Sequence, residues 1–162
     1  MVMNKSQEWI NRADKHVMKT YGRYPIVAER GEGCRLWDVD GKAYLDFLAG
    51  VAVNNLGHCH PKVVAALREQ AGRLLHCSNF YHIPQQVELA EWLCEHSFAE
   101  RVFFCNSGAE ANEAAMKLAR KHSNDKHGED RFEVITALAS FHGRTICAIG
   151  AMGQGQVKAG FT

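Results

Sequence analysis

The run Asn106-Ser107-Gly108-Ala109-Glu110 has the residue types of an anion-binding turn. It follows the apolar stretch 101–105 and opens the helix-forming segment AEANEAAMKLAR. Ser107 suits a helix N-cap, and Glu110, three positions on, completes a capping box. Gly108 lets the backbone turn tightly and leaves room for a ligand to approach. The N–H groups of Gly108 and Ala109 then stand free at a helix N-terminus, where the dipole favours a phosphate. A plain well-capped helix carries the same signature, so the motif alone leaves both readings open. It is not a P-loop, because GxxxxGK[ST] is absent, and Gly150, Gly153 and Gly155 lack dinucleotide-loop spacing. A second group is Phe141-His142-Gly143-Arg144-Thr145. An aromatic ring stacks on a flat ligand, and a guanidinium fork matches a carboxylate. The same five residues also read as a loop with a buried Phe and a solvated Arg. Gly57-His58-Cys59-His60-Pro61 holds metal-ligating types. Adjacent residues at a loop-to-helix junction seldom close a metal site, and no second Cys/His pair at zinc spacing follows. No metal is therefore expected, and His60 is assigned to the start of the next helix. Asp38 and Asp40 read as the solvated face of a hairpin rather than as an acid–base pair.

The elements that must position these groups follow from periodicity. Trp9, Ala13, His16, Val17 and Thr20 predict a helix over 6–20, stopped by Pro25. Residues 26–28, 34–39 and 42–47 read as strands of an antiparallel meander, with Asp40-Gly41 as a two-residue turn. Pro61 opens a helix with Val64, Leu67, Ala71, Leu74 and Leu75 on its apolar side. Another starts near Pro84, with Val87, Ala90 and Cys94 on one face. A third runs over 109–122, with Ala111, Ala114, Ala115, Leu118 and Ala119 as its buried stripe. Segments 101–105 and 132–138 read as buried strands, and 121–130 as a polar loop. Helices alternating with apolar strands imply βαβ units, an α/β fold and a parallel sheet. The carboxyl edge of that sheet would carry both 106–109 and 141–145. Residues 150–162 are glycine-rich and the strands are few, so the chain reads as the front part of a longer protein.

Composition narrows the classes. The 162 residues are 46% hydrophobic and 23% charged, which excludes a disordered chain and predicts a sizeable core. Nineteen Lys plus Arg against eighteen Asp plus Glu give a net charge of +1. There is thus no field to draw nucleic acid or an anionic membrane. No apolar run approaches the ~20 residues a bilayer requires. The N-terminus MVMNKSQEWI has no apolar leader region, so secretion has no support. The cysteines, with no CxxC pair, read as reduced and mostly buried.

From about Glu8 onward the chain resembles the subgroup-III, ornithine-type aminotransferases that use pyridoxal phosphate. The resemblance lies in RGEGCRLWDVDGKAYLDFLAGVAV, NLGHCHPKVVAAL, HCSNFYHIPQQVELAEWL, FFCNSGAEANEAAMKLAR and FHGRT. Within that family SNFYHIPQQVELAE is more similar to the branch acting on acetylornithine and succinylornithine than to the 4-aminobutyrate branch. The resemblance implies the type I pyridoxal-phosphate fold, a three-layer α/β/α large domain plus a small α+β domain, incomplete in this chain. Residues 1–60 would belong to the small domain and 61–162 to the cofactor-binding large domain. It implies cofactor contacts at Ser107, Gly108, Ala109 and Phe141, and a substrate carboxylate on Arg144. Ala109 stands where many relatives have Thr. The Schiff-base lysine is expected beyond residue 162, since Lys5, Lys15, Lys19, Lys42, Lys62, Lys117, Lys121, Lys126 and Lys158 do not follow its motif. The implied reaction moves the δ-amino group of N2-acetylornithine to 2-oxoglutarate, giving glutamate, in arginine biosynthesis. It would run in a cytoplasmic homodimer, with Leu74–His82 as the segment reaching the partner's site. Succinylornithine, ornithine and 4-aminobutyrate are the alternative amine donors. A non-catalytic phosphate-binding fragment is the alternative of another class.

Overall fold

The computed structural model describes residues 4–161. Met1–Met3 and Thr162, on which the readings of the N-terminus and of the glycine-rich tail partly fall, lie outside the described residues. The chain divides into two compact units, Met1–Tyr81 and His82–Thr162.

The first unit begins with helix α1, Lys5–His16. Two side chains take up its orphan N–H groups. Asn4 Oδ1 accepts from Gln7 N at 2.9 Å, and the Asp40 carboxylate accepts from Lys5 N at 3.0 Å and Ser6 N at 3.1 Å. Asp40 is thus a cap supplied from a distant hairpin. The helix ends four residues before the expected Thr20, because Val17 turns to extended backbone.

Strands β1 (Ala28–Glu32), β2 (Arg35–Asp38) and β3 (Ala43–Leu45) form an antiparallel meander in the order β1-β2-β3, as expected, but β1 begins at Ala28, where the strand expected over 26–28 ends. Arg30 sits opposite Trp37, its guanidinium 3.6 Å from the ring centroid. The β2–β3 turn is longer than the two residues expected. Asp38 pairs with Lys42, and Val39-Asp40-Gly41 form the loop, Gly41 at φ 85°. Asp38 causes this. It is buried, and its carboxylate accepts from Asp40 N (3.1 Å), Lys42 N (2.8 Å) and Tyr44 Oη (2.7 Å). The solvated face expected of Asp38 and Asp40 is therefore a pair of structural acceptors.

After β3 the chain makes one left-handed turn, α2 (Ala49–Ala52), with Ala49, Gly50, Val51 and Ala52 at φ 47°, 61°, 58° and 69°. Left-handed backbone is costly for a β-branched residue such as Val51. Asp46 anchors the entry, accepting from Leu48 N (2.8 Å) and Ala49 N (3.0 Å). Its second oxygen meets His58 Nε2 at 2.6 Å. Helix α3, Pro61–Ala71, follows with proline in its first turn. Leu74 and Leu75, expected on it, lie past its end.

The carboxyls of Asp38 and Asp46 lie below their ordinary 3.8, the first chiefly through Tyr44 and the second chiefly through His58. The Tyr44 hydroxyl lies above its ordinary 10.0, chiefly because it donates to Asp38. A depressed carboxyl stabilises fully above 3.8 and loses this as pH falls through its folded value. The raised phenol stabilises fully below 10.0 and loses this as pH rises through its folded value. The meander should therefore hold between these limits. Tyr44→Phe should move its acid midpoint to higher pH and abolish the alkaline limb, read by Trp37 fluorescence against pH. An unchanged acid midpoint would show that Tyr44 does not act on Asp38.

The second unit carries α4 (Pro84–Glu95), α5 (Gly108–His127), α6 (Ile146–Gly150) and α7 (Gly155–Lys158). Helix α5 runs five residues beyond the expected end at 122, into what reads as a polar loop. Lys121 and Asp125 pair at i,i+4 (2.7 Å), and no breaker intervenes before Gly128, at φ 88°. The stripe expected to be buried is not: Ala111, Ala115, Leu118 and Ala119 are exposed and Ala114 is half-buried. Segments 101–105 and 132–138 form no ladder, and the meander is the sheet among the described residues. A strand exists through its hydrogen-bonded neighbours, and these two segments do not pair. Among the described residues the buried hydrophobic side chains are Ala148, Ile149 and Met152. The accessible surface is 14143 Å², against about 8,100 Å² for a compact protein of this mass. The sizeable core expected from composition is thus not closed by these residues.

Among the described residues no helix is long and apolar enough to cross a membrane. The six cysteines are free thiols; Cys77 and Cys94 are half-buried and the others exposed, where burial is expected from sequence.

Candidate functional site

Three features of the second unit meet at the N-terminus of α5. The first is the turn. Ser107 is extended (φ −155°, ψ 160°), and its Oγ accepts from Glu110 N at 3.2 Å. The Ser107 carbonyl accepts from Ala111 N at 3.0 Å. Glu110 reaches back, but to Asn106: its Oε2 accepts from Asn106 N at 2.5 Å and its Oε1 from Asn106 Nδ2 at 3.4 Å. The capping box therefore closes one residue earlier than the expected pattern. The N–H groups of Gly108 and Ala109 have no hydrogen-bond partner among the described residues. A Cβ added at Gly108 would meet nothing within 4 Å, so the backbone there is not crowded by its neighbours. Two free N–H groups heading a helix of 20 residues are donors of the kind that suit an oxyanion.

The second feature is the loop 141–145. Gly143 is buried, with φ 127°, and lies so close to α5 that an added Cβ would sit 2.6 Å from Ala109 Cβ and 3.3 Å from Ala148 Cβ. This close approach is the reason for glycine at that position. Arg144 carries its guanidinium carbon 5.4 Å from the Phe141 ring centroid. Phe141 is 58% exposed, so the alternative of a buried Phe does not hold, whereas Arg144 is exposed as that alternative has it; its guanidinium lies over the Phe141 ring.

The third feature is a pair of side chains that sequence reasoning missed. Asn112 Nδ2 donates to the His142 carbonyl at 2.8 Å. Thr145 Oγ1 donates to Glu113 Oε1 at 2.6 Å and also accepts from Ala148 N at 3.3 Å, capping α6. The usable signal was the polar pair Asn112-Glu113 inside an alanine-rich helix, together with the capping type of Thr145 ahead of ICAIG. The buried Ala148, Ile149 and Met152 lie just after the loop. Gly153 packs against the backbone of Leu138 and Ala139.

The histidine motif does other work. His58 pairs with Asp46 and lies against Gly31, where an added Cβ would fall 2.6 Å from its Cγ. His58 also exchanges two backbone hydrogen bonds with Gly33 (3.0 and 2.8 Å). His60 is the N-cap residue of α3, as expected, but caps through its carbonyl to Val64 N (3.0 Å) and not through its side chain. Among the described residues no three His, Cys, Asp or Glu side chains stand together as a metal site.

An anion turn facing a ring-bearing, guanidinium-bearing loop suits a phosphorylated, planar cofactor and a carboxylate substrate. The chain belongs to the class-III aminotransferases: residues 17–162 match the family Aminotransferase class-III. Its fold is the front part of the type I pyridoxal-phosphate fold. It is 56% identical over 147 residues to the acetylornithine aminotransferase of Caldanaerobacter subterraneus subsp. tengcongensis, covering 91% of this chain and 37% of that protein. The ornithine aminotransferase of Toxoplasma gondii superposes with a TM-score of 0.89 at 33% identity, over 96% of this chain and 37% of that one. In that crystal, grown with oxidized glutathione, PLP partially occupies the active site. The acetylornithine aminotransferase of Elizabethkingia anophelis gives 0.80 at 40% identity, over 88% and 36%. The chain thus spans little more than a third of the length of these relatives.

Proposed function

We propose that these residues are the cofactor-phosphate and substrate-carboxylate half of a pyridoxal-phosphate aminotransferase. The reaction moves the δ-amino group of N2-acetylornithine to 2-oxoglutarate. The observation that carries this reading is the docking of loop 141–145 on the N-terminus of α5, through Gly143 against Ala109 and Asn112 onto the His142 carbonyl. It supports a common site, because Gly143, the neighbour of Arg144, packs on Ala109 of the turn. The high identity to acetylornithine aminotransferases supports the choice of substrate.

The donor set fits the cofactor. The N–H groups of Gly108 and Ala109 hold the phosphate, with Ser107 shaping the turn. The Phe141 face stacks on the pyridine ring. Ala109 offers no side-chain hydroxyl, so this grip is made by backbone. When bound, pyridoxal phosphate supplies an aldehyde carbon for the amine and a ring that takes up electrons freed at the adjacent C–H. Arg144 forks the α-carboxylate of N2-acetylornithine. Holding the far end of the substrate leaves the δ-amine as the end that reaches the reacting carbon. In the intact enzyme residues 1–60 belong to the small domain and 61–162 to the large, and the lysine that carries the cofactor lies outside these residues. The enzyme is a cytoplasmic homodimer of arginine biosynthesis, with segment 74–82 reaching the partner's site.

Kinetics of a full-length enzyme carrying these residues, with 2-oxoglutarate as acceptor, test the reading. N2-acetylornithine should give the highest kcat/KM of four donors, ahead of succinylornithine, ornithine and 4-aminobutyrate. Preference for ornithine or 4-aminobutyrate would overturn the substrate assignment. No transamination of any donor would overturn the reaction.

A further inference from the structure

The geometry points to Asn112 and Glu113 as positioning residues that set the substrate specificity of Arg144. The inference rests on the reading of Arg144 as the carboxylate grip. Both side chains leave consecutive positions of α5 and reach the same loop about thirty residues downstream. Asn112 Nδ2–H donates to the His142 carbonyl at 2.8 Å, one residue before Gly143. Glu113 Oε1 accepts the Thr145 hydroxyl at 2.6 Å, one residue after Arg144. The two bonds thus bracket Gly143-Arg144 and tie both ends to the helix that also presents the anion turn.

The bracket is needed because of what lies between. Gly143 has φ 127° and lies close against Ala109, and glycine has more accessible backbone states than any other residue. A guanidinium fork is useful only when its direction is fixed, since a carboxylate is matched by paired, planar hydrogen bonds. With Gly143 as its N-terminal neighbour, Arg144 takes its direction from the anchors on either side. Asn112 holds one anchor as a donor and Glu113 the other as an acceptor. The roles differ chemically. Only a side chain with an N–H or O–H can serve His142 O, whereas an uncharged amide oxygen suffices for Thr145. The clamp therefore depends on hydrogen-bond type, not on the charge of Glu113.

The test uses the full-length holoenzyme. Asn112→Ala and Glu113→Ala should each raise the KM for N2-acetylornithine about tenfold and weaken binding of glutarate, a dicarboxylate probe, to the same degree. kcat and the visible absorbance of the bound cofactor should stay within about twofold. KM for cadaverine, an amine with no carboxylate, should not move. Glu113→Gln should behave as the parent does. In an Arg144→Ala background, adding Asn112→Ala should cost nothing further, because the clamp acts through Arg144. Equal KM rises for both amines, lost cofactor absorbance, or full additivity with Arg144→Ala would overturn the proposal in favour of general packing. If the parent enzyme fails to turn over N2-acetylornithine, the substrate assignment falls, and glutarate binding still decides the clamp. A parent that binds no glutarate overturns the grip and the clamp together.

Discussion

Arg144→Ala should raise the KM for N2-acetylornithine about a hundredfold in the full-length enzyme, as expected when a charge-assisted carboxylate contact worth roughly 2–5 kcal/mol is removed. The grip is made in the ground state and kept in the transition state, so KM should move more than kcat. Arg144→Lys should recover only part of the loss, since an ammonium is a point charge and cannot reproduce a bidentate fork. The position of Arg144 sharpens this expectation. Its guanidinium carbon lies over the Phe141 ring, 5.4 Å from the centroid, so the cation and the aromatic are presented together. Steady-state kinetics of both variants with N2-acetylornithine and 2-oxoglutarate are the measurement. Parent-like KM values in both would mean that Arg144 faces solvent and that its neighbourhood with Phe141 has no bearing on substrate.

The parts of the site that local chemistry dictates were legible in the sequence. Ser107 and Glu110 carry the cap signature, and the structure forms it, with Glu110 closing on Asn106. The meander was legible because Asp40-Gly41 sits between two alternating runs. The exact loop was not, because Asp38 takes three donors and adds a residue to the turn. The end of α5 differs from the expected one for a related reason. Polarity over 121–127 suggests a loop, whereas Lys121 and Asp125 meet as a helical pair and the first true breaker is Gly128.

The long-range contacts were not legible. Nothing local says that Asp40 caps α1, that Asp46 holds His58, or that Asn112 and Glu113 reach across to 142 and 145. Each joins residues from 12 to 35 positions apart, and side-chain type fixes only the capacity to bond, not the partner. The apolar runs 101–105 and 132–138 are a different case. Their composition suits buried strands, but a buried parallel strand is formed between two neighbours. Residues 4–161 supply none for them. The same reasoning accounts for the exposed stripe of α5 and for Leu118 at 71% exposure. Apolar patterning records the faces that a fold covers, and among the described residues none covers these.

Gly143→Ala should disable the site more broadly than Arg144→Ala, weakening cofactor and substrate together. The new Cβ would lie 2.6 Å from Ala109 Cβ and 2.9 Å from Ala109 Cα, at a φ of 127° that L residues rarely adopt. Backbone strain there costs about 1–3 kcal/mol, and overpacking adds a similar amount. Relief requires loop 141–145 to move off α5. That movement breaks the Asn112 contact, displaces Phe141 and Arg144, and disturbs Ala109, one of the two free donors. The dissociation constant of pyridoxal phosphate, measured by reconstituting the apoenzyme, should therefore rise about a hundredfold, on the order of 3 kcal/mol. KM for N2-acetylornithine should rise with it. Ala109→Gly in the same chain should recover part of the loss, because the contact with the Ala109 Cβ disappears while the 2.9 Å approach to the Cα of position 109 and the φ strain stay. Gly22→Ala is the matched control: its Cβ would meet nothing within 4 Å, and cofactor affinity should not change. If Gly143→Ala binds pyridoxal phosphate as the parent does, the loop does not depend on its contact with Ala109, and the anion turn and the Arg144 loop are independent of one another.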